Sequence, residues 1–435
     1  MEKLPKILIV GPYTFDGSDA TSITLRNLFN GWEKDKIAFL SFTASPQQNQ
    51  STHLKFFVSQ LLFGNFVINA NNDSLINKVR ASRSIVIGVP GAIKDKSIVT
   101  IIFNQVHTII SAYRAIIPYK YNNDLNIFIK KYKPDIIYSL LGDIRTMQMA
   151  NKISSKFNIP IIPHFMDDWQ NTMYSDNSFL FIPRLILLLN LRKILSRSLL
   201  GLTISQKMAD EYSSRFKKQF FPLMNCVNEI TEKTKTEHSH NSTEIKFCYT
   251  GGLHLDRSKS LRSICEVLQN LKTNKKITVS IYTKEIDWLK CGHEFGDFDF
   301  VKYMGFVNSD EILDKLNEQD ILIHVESFDP KIDKYTRLSI STKIPEYLSL
   351  AKPIIAIGPP NIASIEYLAS NQCALILSEN NIKTIESKLS AMLGDAKKME
   401  SMSNNAFKLF KKNHTSNRQR GLLREIIISA ASKLA

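Results

Sequence analysis

The run Ser341-Thr342-Lys343-Ile344-Pro345-Glu346-Tyr347-Leu348 carries residue types, at a spacing, that suit a nucleoside diphosphate. It follows a charged loop and precedes the apolar stretch Pro353–Ile357. It is therefore expected to open a helix, with Ser341 or Thr342 as N-cap. Unpaired N–H groups at a helix start attract anions, Lys343 adds a point charge for a phosphate, and Glu346, one turn on, can accept both hydroxyls of a ribose. A second run, Tyr249-Thr250-Gly251-Gly252-Leu253-His254-Leu255-Asp256-Arg257-Ser258-Lys259-Ser260, leads a strand into paired glycines and then a basic helix start. Glycines let the backbone approach a phosphate closely, and Arg257 with Lys259 can neutralise a departing diphosphate. A third, His164-Phe165-Met166-Asp167-Asp168-Trp169, sets a His beside two acids. Such a His can bind metal, act as a base, or be a satisfied structural residue. Adjacent carboxylates on a loop point different ways, so no metal cluster is expected. Glu326 and Asp329, after the apolar run ending at Val325, are further acids.

The elements that must position these residues alternate strand and helix. Ile7–Val10, a helix over Ser22–Trp32 and Ile37–Ser41 form a βαβ unit, which implies a parallel sheet. Leu54–Phe66 and Ser97–Ile117 look like buried or partly amphipathic helices. Strands are expected at 134–139, 160–165, 202–205 and 220–224, with a helix over Arg145–Phe157. The polar stretch Thr231–Thr243 reads as a linker. Beyond it, strands at 245–250, 277–282, 301–303, 321–325, 353–357 and 374–377 are separated by helical patterns at 261–271, 309–317, 341–350, 362–370 and 382–393. The tail after Ala396 reads as two helices with a break near His414. The expected class is α/β, two doubly wound Rossmann-like domains facing a central cleft. One spans 1–227 and the other 228–414, with a helix at about 415–435 packing back on the first.

Composition narrows the partners. The 435 residues are 43% hydrophobic and 22% charged, enough for two folded cores and against wholesale disorder. No apolar run is long enough to span a bilayer, and Ile7–Val10 is too short for a signal peptide, so the chain is expected to stay in the cytoplasm. Five scattered cysteines, with no C-x-x-C pair, suggest reduced thiols rather than disulfides or a zinc site. The net charge of +15 calls for an anionic partner. No nucleic-acid module is recognisable, which leaves phosphates and membrane headgroups. Phe179–Leu200, apolar with Arg184, Arg192, Lys193 and Arg197 interspersed, has the composition of a helix lying in an anionic membrane surface at the inner face of the cell membrane.

The run Ser341–Leu348 with Ala351-Lys352-Pro353-Ile354-Ile355-Ala356 resembles the donor-binding region of family 4 (group 1) retaining glycosyltransferases, which have the GT-B fold and include enzymes of surface-polysaccharide synthesis. That family's pattern is E-x(7)-E. Glu346 matches the second Glu, which binds the donor ribose, while Leu338 stands where the first would be. Glu326 and Asp329 are the acids that would substitute. The resemblance extends to Tyr249–Ser260, where a basic pair contacts donor phosphates. It also covers the loop Gly11–Ser22, whose Gly17 would face the diphosphate, and Ile204–Tyr212 with Pro222–Asn228. It implies that His164 lies near the reacting sugar, with Asp167 and Asp168 as acceptor or orienting contacts.

The implied activity is hexosyl transfer from a UDP- or GDP-linked sugar to a glycan or lipid-linked hydroxyl. Configuration would be retained and no metal or other cofactor required, with His164, Arg257 and Lys343 as catalytic residues and Gly17, Gly251, Gly252, Arg257, Lys259, Ser341, Thr342, Lys343 and Glu346 around the donor. A nucleotide-sugar epimerase of the same two-domain fold, or a non-catalytic nucleotide-sugar-binding scaffold, are the competing expectations.

Overall fold

A computed structural model of the chain describes residues 4–41 except 14, 16 and 18, the backbone of 54–61, 64–69 and 98–104, and residues 105–228, 243–308 and 311–432. Two compact units emerge: Met1–Pro222 with Leu423–Ala435, and Leu223–Leu422.

The first unit holds strands β1 (Ile7–Gly11), β2 (Ile37–Ser41), β3 (Leu54–Leu61), β4 (Gly64–Asn69), β5 (Ile136–Ser139), β6 (Ile161–Phe165), β7 (Gly201–Thr203) and β8 (Phe220–Pro222). Their order is β4-β3-β2-β1-β5-β6-β7-β8, parallel except for the β3–β4 pair. Its helices are α1 (Ala20–Phe29), α2 (Ile98–Ile116), α3 (Asn123–Tyr132), α4 (Ile144–Phe157), α5 (Trp169–Thr172), α6 (Phe181–Ser196) and α7 (Gln206–Phe216). Strands β1, β2, β5 and β6 are buried at every residue, which is why they read as unbroken apolar runs rather than alternating ones. Helix starts are fixed locally: Asp19 and Asp143 accept the N–H of Ser22 and Thr146, both at 2.9 Å.

The second unit holds β9 (Glu244–Thr250), β10 (Lys276–Tyr282), β11 (Val301–Gly305), β12 (Ile321–Val325), β13 (Ile354–Ile357) and β14 (Leu375–Leu377), all parallel, in the order β11-β10-β9-β12-β13-β14. Between them run α8 (Arg257–Asn270), α9 (Glu285–Cys291), α10 (Ile312–Asn317), α11 (Pro330–Thr336), α12 (Ile344–Ser349), α13 (Ala363–Ser370) and α14 (Ile382–Leu393). Two helices follow, α15 (Ala396–Asn413) and α16 (Ser416–Ser432). Apolar side chains cover both faces of this sheet, Leu322, Ile354 and Tyr347 on one, Val279, Ile323 and Ile355 on the other. Among the described residues no helix is long and apolar enough to cross a membrane.

The α/β class is as expected, and most second-unit elements fall within a few residues of their expected places. One correction is large. Leu54–Phe66 is not a helix but contributes β3 and the start of β4, an antiparallel pair. Its Phe56-Phe57-Val58 and Phe66-Val67-Ile68 are aromatic and β-branched, types that favour a pleated surface. Helices α9 and α11 were not expected. The linker Thr231–Thr243 lies outside the described residues up to Ser242.

In both sheets the strand order reverses beside the first strand, between β1 and β5 and between β9 and β12. Loops leaving the carboxyl ends of such neighbours splay apart, and open α/β sheets take ligands there.

Candidate functional site

In the second unit, β9 ends in Thr250-Gly251-Gly252. Gly251 has φ +142°, a conformation that L side chains rarely adopt, and a Cβ on Gly252 would come within 2.3 Å of the His254 ring. The turn is braced by the Tyr249 hydroxyl, which donates to the Gly252 carbonyl at 2.7 Å. The Gly251 N–H is spent on the Tyr282 carbonyl at 3.0 Å, so this turn offers a close backbone approach rather than a Gly251 donor. Leu255 and Asp256, both left-handed, then swing the chain into α8.

Arg257, the first residue of α8, reaches across the strand reversal. Its Nη2 lies 3.1 Å from Oε2 of Glu326, the residue after β12. His324 Nε2 stands 3.3 Å from the other oxygen. Burial alone would raise the Glu326 carboxyl, but Arg257 and then His324 hold it down to about 2. Its backbone is fixed as well: the carbonyl accepts from Ser260 Oγ at 2.7 Å, and the N–H donates to Ile357 at 2.8 Å. A Cβ on neighbouring Gly358 would lie 2.8 Å from the Glu326 Cβ, so that strand end needs glycine.

The expected helix over Ser341–Leu350 is shorter, α12 beginning at Ile344. Lys343, in helical conformation, stands at the cap position with no side-chain cap bond. The caps assigned to Ser341 and Thr342 are therefore corrected. Ser341 Oγ accepts from the Lys343 N–H at 3.4 Å, and the Thr342 carbonyl accepts from Asn225 Nδ2 at 3.0 Å, a local turn rather than an anion-facing first turn. Lys343 and Glu346 do come together, Nζ to Oε2 at 3.3 Å. Glu346 is buried, and burial raises its carboxyl against the opposing pull of Lys343.

Tyr347 joins this pair to the strand ends. Its hydroxyl receives the Thr250 N–H at 3.1 Å, meets Thr250 Oγ1 at 3.0 Å and donates to the Ile323 carbonyl at 3.2 Å. No sequence pattern pointed to this tyrosine or to His324. The other two assigned residues stand apart in role: Lys259 is exposed with its ammonium on Asp256 at 2.8 Å, and Asp329 caps α11 by accepting the Lys331 N–H at 2.8 Å.

In the first unit, His164 sits inside β6, fully buried, its Nδ1 hydrogen-bonded to the Tyr138 hydroxyl. A reacting sugar would need this ring exposed, so the sugar-contact assignment is corrected to a core position. Asp168 is corrected likewise. Its buried carboxylate accepts from Asn171 Nδ2 at 2.7 Å, Tyr212 at 2.8 Å, Arg215 Nη1 at 3.0 Å and Gln170 Nε2 at 3.3 Å. Asp167 is exposed. Gly17 has no room for a side chain, since a Cβ would lie 2.2 Å from Ser22 Oγ; Asp16 and Ser18 beside it lie outside the described residues. The Tyr13 hydroxyl is raised by burial first, then by the carboxylates of Asp19, Asp167 and Asp143.

No protein-family model matches the chain, and no curated protein matches its sequence. Solved structures do resemble it. Anabaena Alr3699/HepE, crystallised with UDP and glucose, superposes with a TM-score of 0.61 at 13% identity, covering 98% of this chain and 100% of that one. Sucrose-phosphate synthase from Thermosynechococcus elongatus gives 0.59 at 10% identity over 98% and 100%. The lipopolysaccharide outer core galactosyltransferase WaaB gives 0.53 at 13% identity over 98% of each. These likenesses establish the GT-B fold.

Proposed function

We propose that this protein is a glycosyltransferase that moves a hexose from a UDP- or GDP-linked donor to a hydroxyl of a glycan or lipid-linked acceptor, with retention and without a metal. The observation that carries the reading is the Lys343–Glu346 pair, tethered by Tyr347 to the Gly251-Gly252 turn at the strand reversal of the second unit. A ribose needs a carboxylate acceptor, and a diphosphate needs cations and a backbone without side chains close by. That HepE was crystallised with UDP and glucose adds support from the fold.

In the proposed reaction the bond between the sugar's anomeric carbon and the β-phosphate oxygen breaks. A bond from that carbon to the acceptor oxygen forms on the same face, and the acceptor's proton passes to the departing phosphate. Lys343 and Arg257 lower the cost of the charge that builds on the diphosphate, a preorganised electrostatic effect. Glu326 holds Arg257 in place and is, with Asp329, an acid that would substitute for the one Leu338 does not supply. Asp167, with Asp19 and Asp143 around Tyr13, provides candidate acceptor contacts in the first unit.

The test is calorimetric titration of UDP and GDP into wild type and Glu346→Ala, together with product analysis using UDP- and GDP-sugars. Binding of one nucleotide, lost by about a hundredfold in the variant, with sugar transfer observed, is the expected result. Donor epimerisation without transfer would favour the epimerase, and absence of binding in the wild type would sink the reading.

A further inference from the structure

Among the described residues of the first unit, most exposed apolar side chains, Ile127 and Leu199 excepted, lie on or beside two elements that pack together, α2 and α6. On α2, Val106, Ile110 and Tyr113, with Ile117 one residue past its end, are exposed. At about 100° per residue they occupy one arc of roughly 60°. On α6 the exposed residues Phe181, Ile182, Leu185 and Leu189 continue into Arg192 and Lys193, all within about 120° of arc. The opposite side of α6, with Pro183, Leu187, Leu191, Ile194 and Leu195, is buried, so the helix is apolar on two sides and only one meets protein.

The short turn Ser178–Leu180 links the two elements. Phe179 is 71% exposed and Phe181 66%, while the Tyr113 hydroxyl donates to the Phe179 carbonyl at 3.1 Å. Bulky aromatics standing this far out of a surface cost solubility unless something covers them.

Charge identifies what covers them. No Asp or Glu occurs between Lys96 and Asp124, nor between Asp176 and Asp210, while Arg114, Lys120, Arg184, Arg192, Lys193, Arg197 and Lys207 do. An apolar protein partner would fit the aromatic stripe but gives no reason for acid to be excluded from both segments. A bilayer rich in anionic lipid accounts for both features, the apolar residues entering the acyl boundary and the cations meeting headgroups.

We propose that the α2–α6 face docks the first unit on an anionic membrane, lying in its surface. The apolar entry points are Phe179 and Phe181 from one segment and Ile110 and Ile117 from the other, and Arg192 and Lys193 supply headgroup contacts. The face is thus wider than the basic stretch read from residues 179–200, and it stands independently of the transfer reaction.

The experiment is co-sedimentation of the full chain with vesicles of equimolar phosphatidylglycerol and phosphatidylcholine, against pure phosphatidylcholine. Wild type should pellet with the anionic vesicles only. Arg192→Glu/Lys193→Glu should weaken binding by at least about thirtyfold. Phe179→Glu/Phe181→Glu and Ile110→Glu/Ile117→Glu should each weaken it by about a hundredfold. All three should keep the wild-type melting temperature and nucleotide affinity. A measurement that needs no variant is amide exchange, which should slow in α2 and α6 when anionic vesicles are added. Binding that ignores Ile110→Glu/Ile117→Glu would remove α2 from the face. Wild type that never pellets, or a dimer that these substitutions convert to monomer without any vesicle binding, would overturn the proposal in favour of a second copy as occupant.

Discussion

Asp168 and Glu326 both follow a buried parallel strand and both pair with one arginine, Asp168 with Arg215 at 3.0 Å and Glu326 with Arg257 at 3.1 Å. Their remaining partners differ. Asp168 also takes three uncharged donors, from Tyr212, Asn171 and Gln170, each from an element of its own unit. Glu326 has the His324 ring and stands at a glycine-lined strand reversal where the chain order leaves a crevice. Asp168, bonded by one arginine and three neutral donors, braces its own unit. Glu326, as buried as Asp168, is held ionised chiefly by Arg257 beside the glycine turns. The same local sequence, an acid just past an apolar strand, therefore meets neutral donors from its own unit in one case and a strand reversal in the other.

The sharpest way to break this contrast is Asp168→Ala. It would leave Arg215 without its buried partner and three donors unmet, a loss of about 3 kcal/mol. Thermal melting should fall by several degrees, while nucleotide binding in the folded protein stays unchanged. Unchanged melting with lost transfer would return Asp168 to the acceptor site.

Glu326→Gln should cost slightly less, about 2 kcal/mol near neutral pH, and should also weaken donor binding because Arg257 loses its anchor. The pH dependence separates the two effects. The folded carboxyl titrates at about 2 against 4.5 unperturbed, so its contribution is complete above 4.5 and disappears as pH falls toward 2. Acid titrations of stability should show that limb in wild type and not in the variant.

Tyr347→Phe should remove about 1 to 2 kcal/mol by leaving the Thr250 N–H and hydroxyl without their partner. If the tyrosine does join α12 to the glycine turn, nucleotide affinity falls with it, measurable by the same titration calorimetry. Affinity unchanged would show that Lys343 and Glu346 hold their place without it.

Much of the second unit was legible because central parallel strands buried on both faces leave near-continuous apolar runs, as Ile321–Val325 and Ile354–Ile357 do. The proximity of Lys343 and Glu346 was legible for a related reason: three residues apart on a helix, they must share a face. What escaped was non-local. Arg215 reaches Asp168 from 47 residues on, and Arg257 reaches Glu326 across 69, so the adjacent acids Asp167 and Asp168 looked alike although one is exposed and the other saturated. His164 was misjudged because a strand-end His in sequence says nothing of the Tyr138 hydroxyl awaiting it. The cap at Ser341 failed locally, its hydroxyl bonding the N–H of Lys343 before the helix begins.

Glu346→Gln carries the smallest expected effect on stability and the most telling sign. Burial raises this carboxyl above its ordinary value, so the folded state favours the neutral acid. The ionised form is held at a cost, so stability falls as pH rises past the unfolded value; the glutamine variant bears no such cost. Lys343, a quarter exposed, remains solvated when its partner loses charge. The variant should therefore melt higher than wild type near neutral pH, with the difference closing as the pH is lowered. Nucleotide affinity should fall at the same time, because an amide accepts a ribose diol less well than a carboxylate. A residue kept for packing would lose stability on substitution and leave binding alone. A gain in stability with a loss of binding would set Glu346 apart from Asp168, and also from Glu326, whose glutamine variant is expected to lose both.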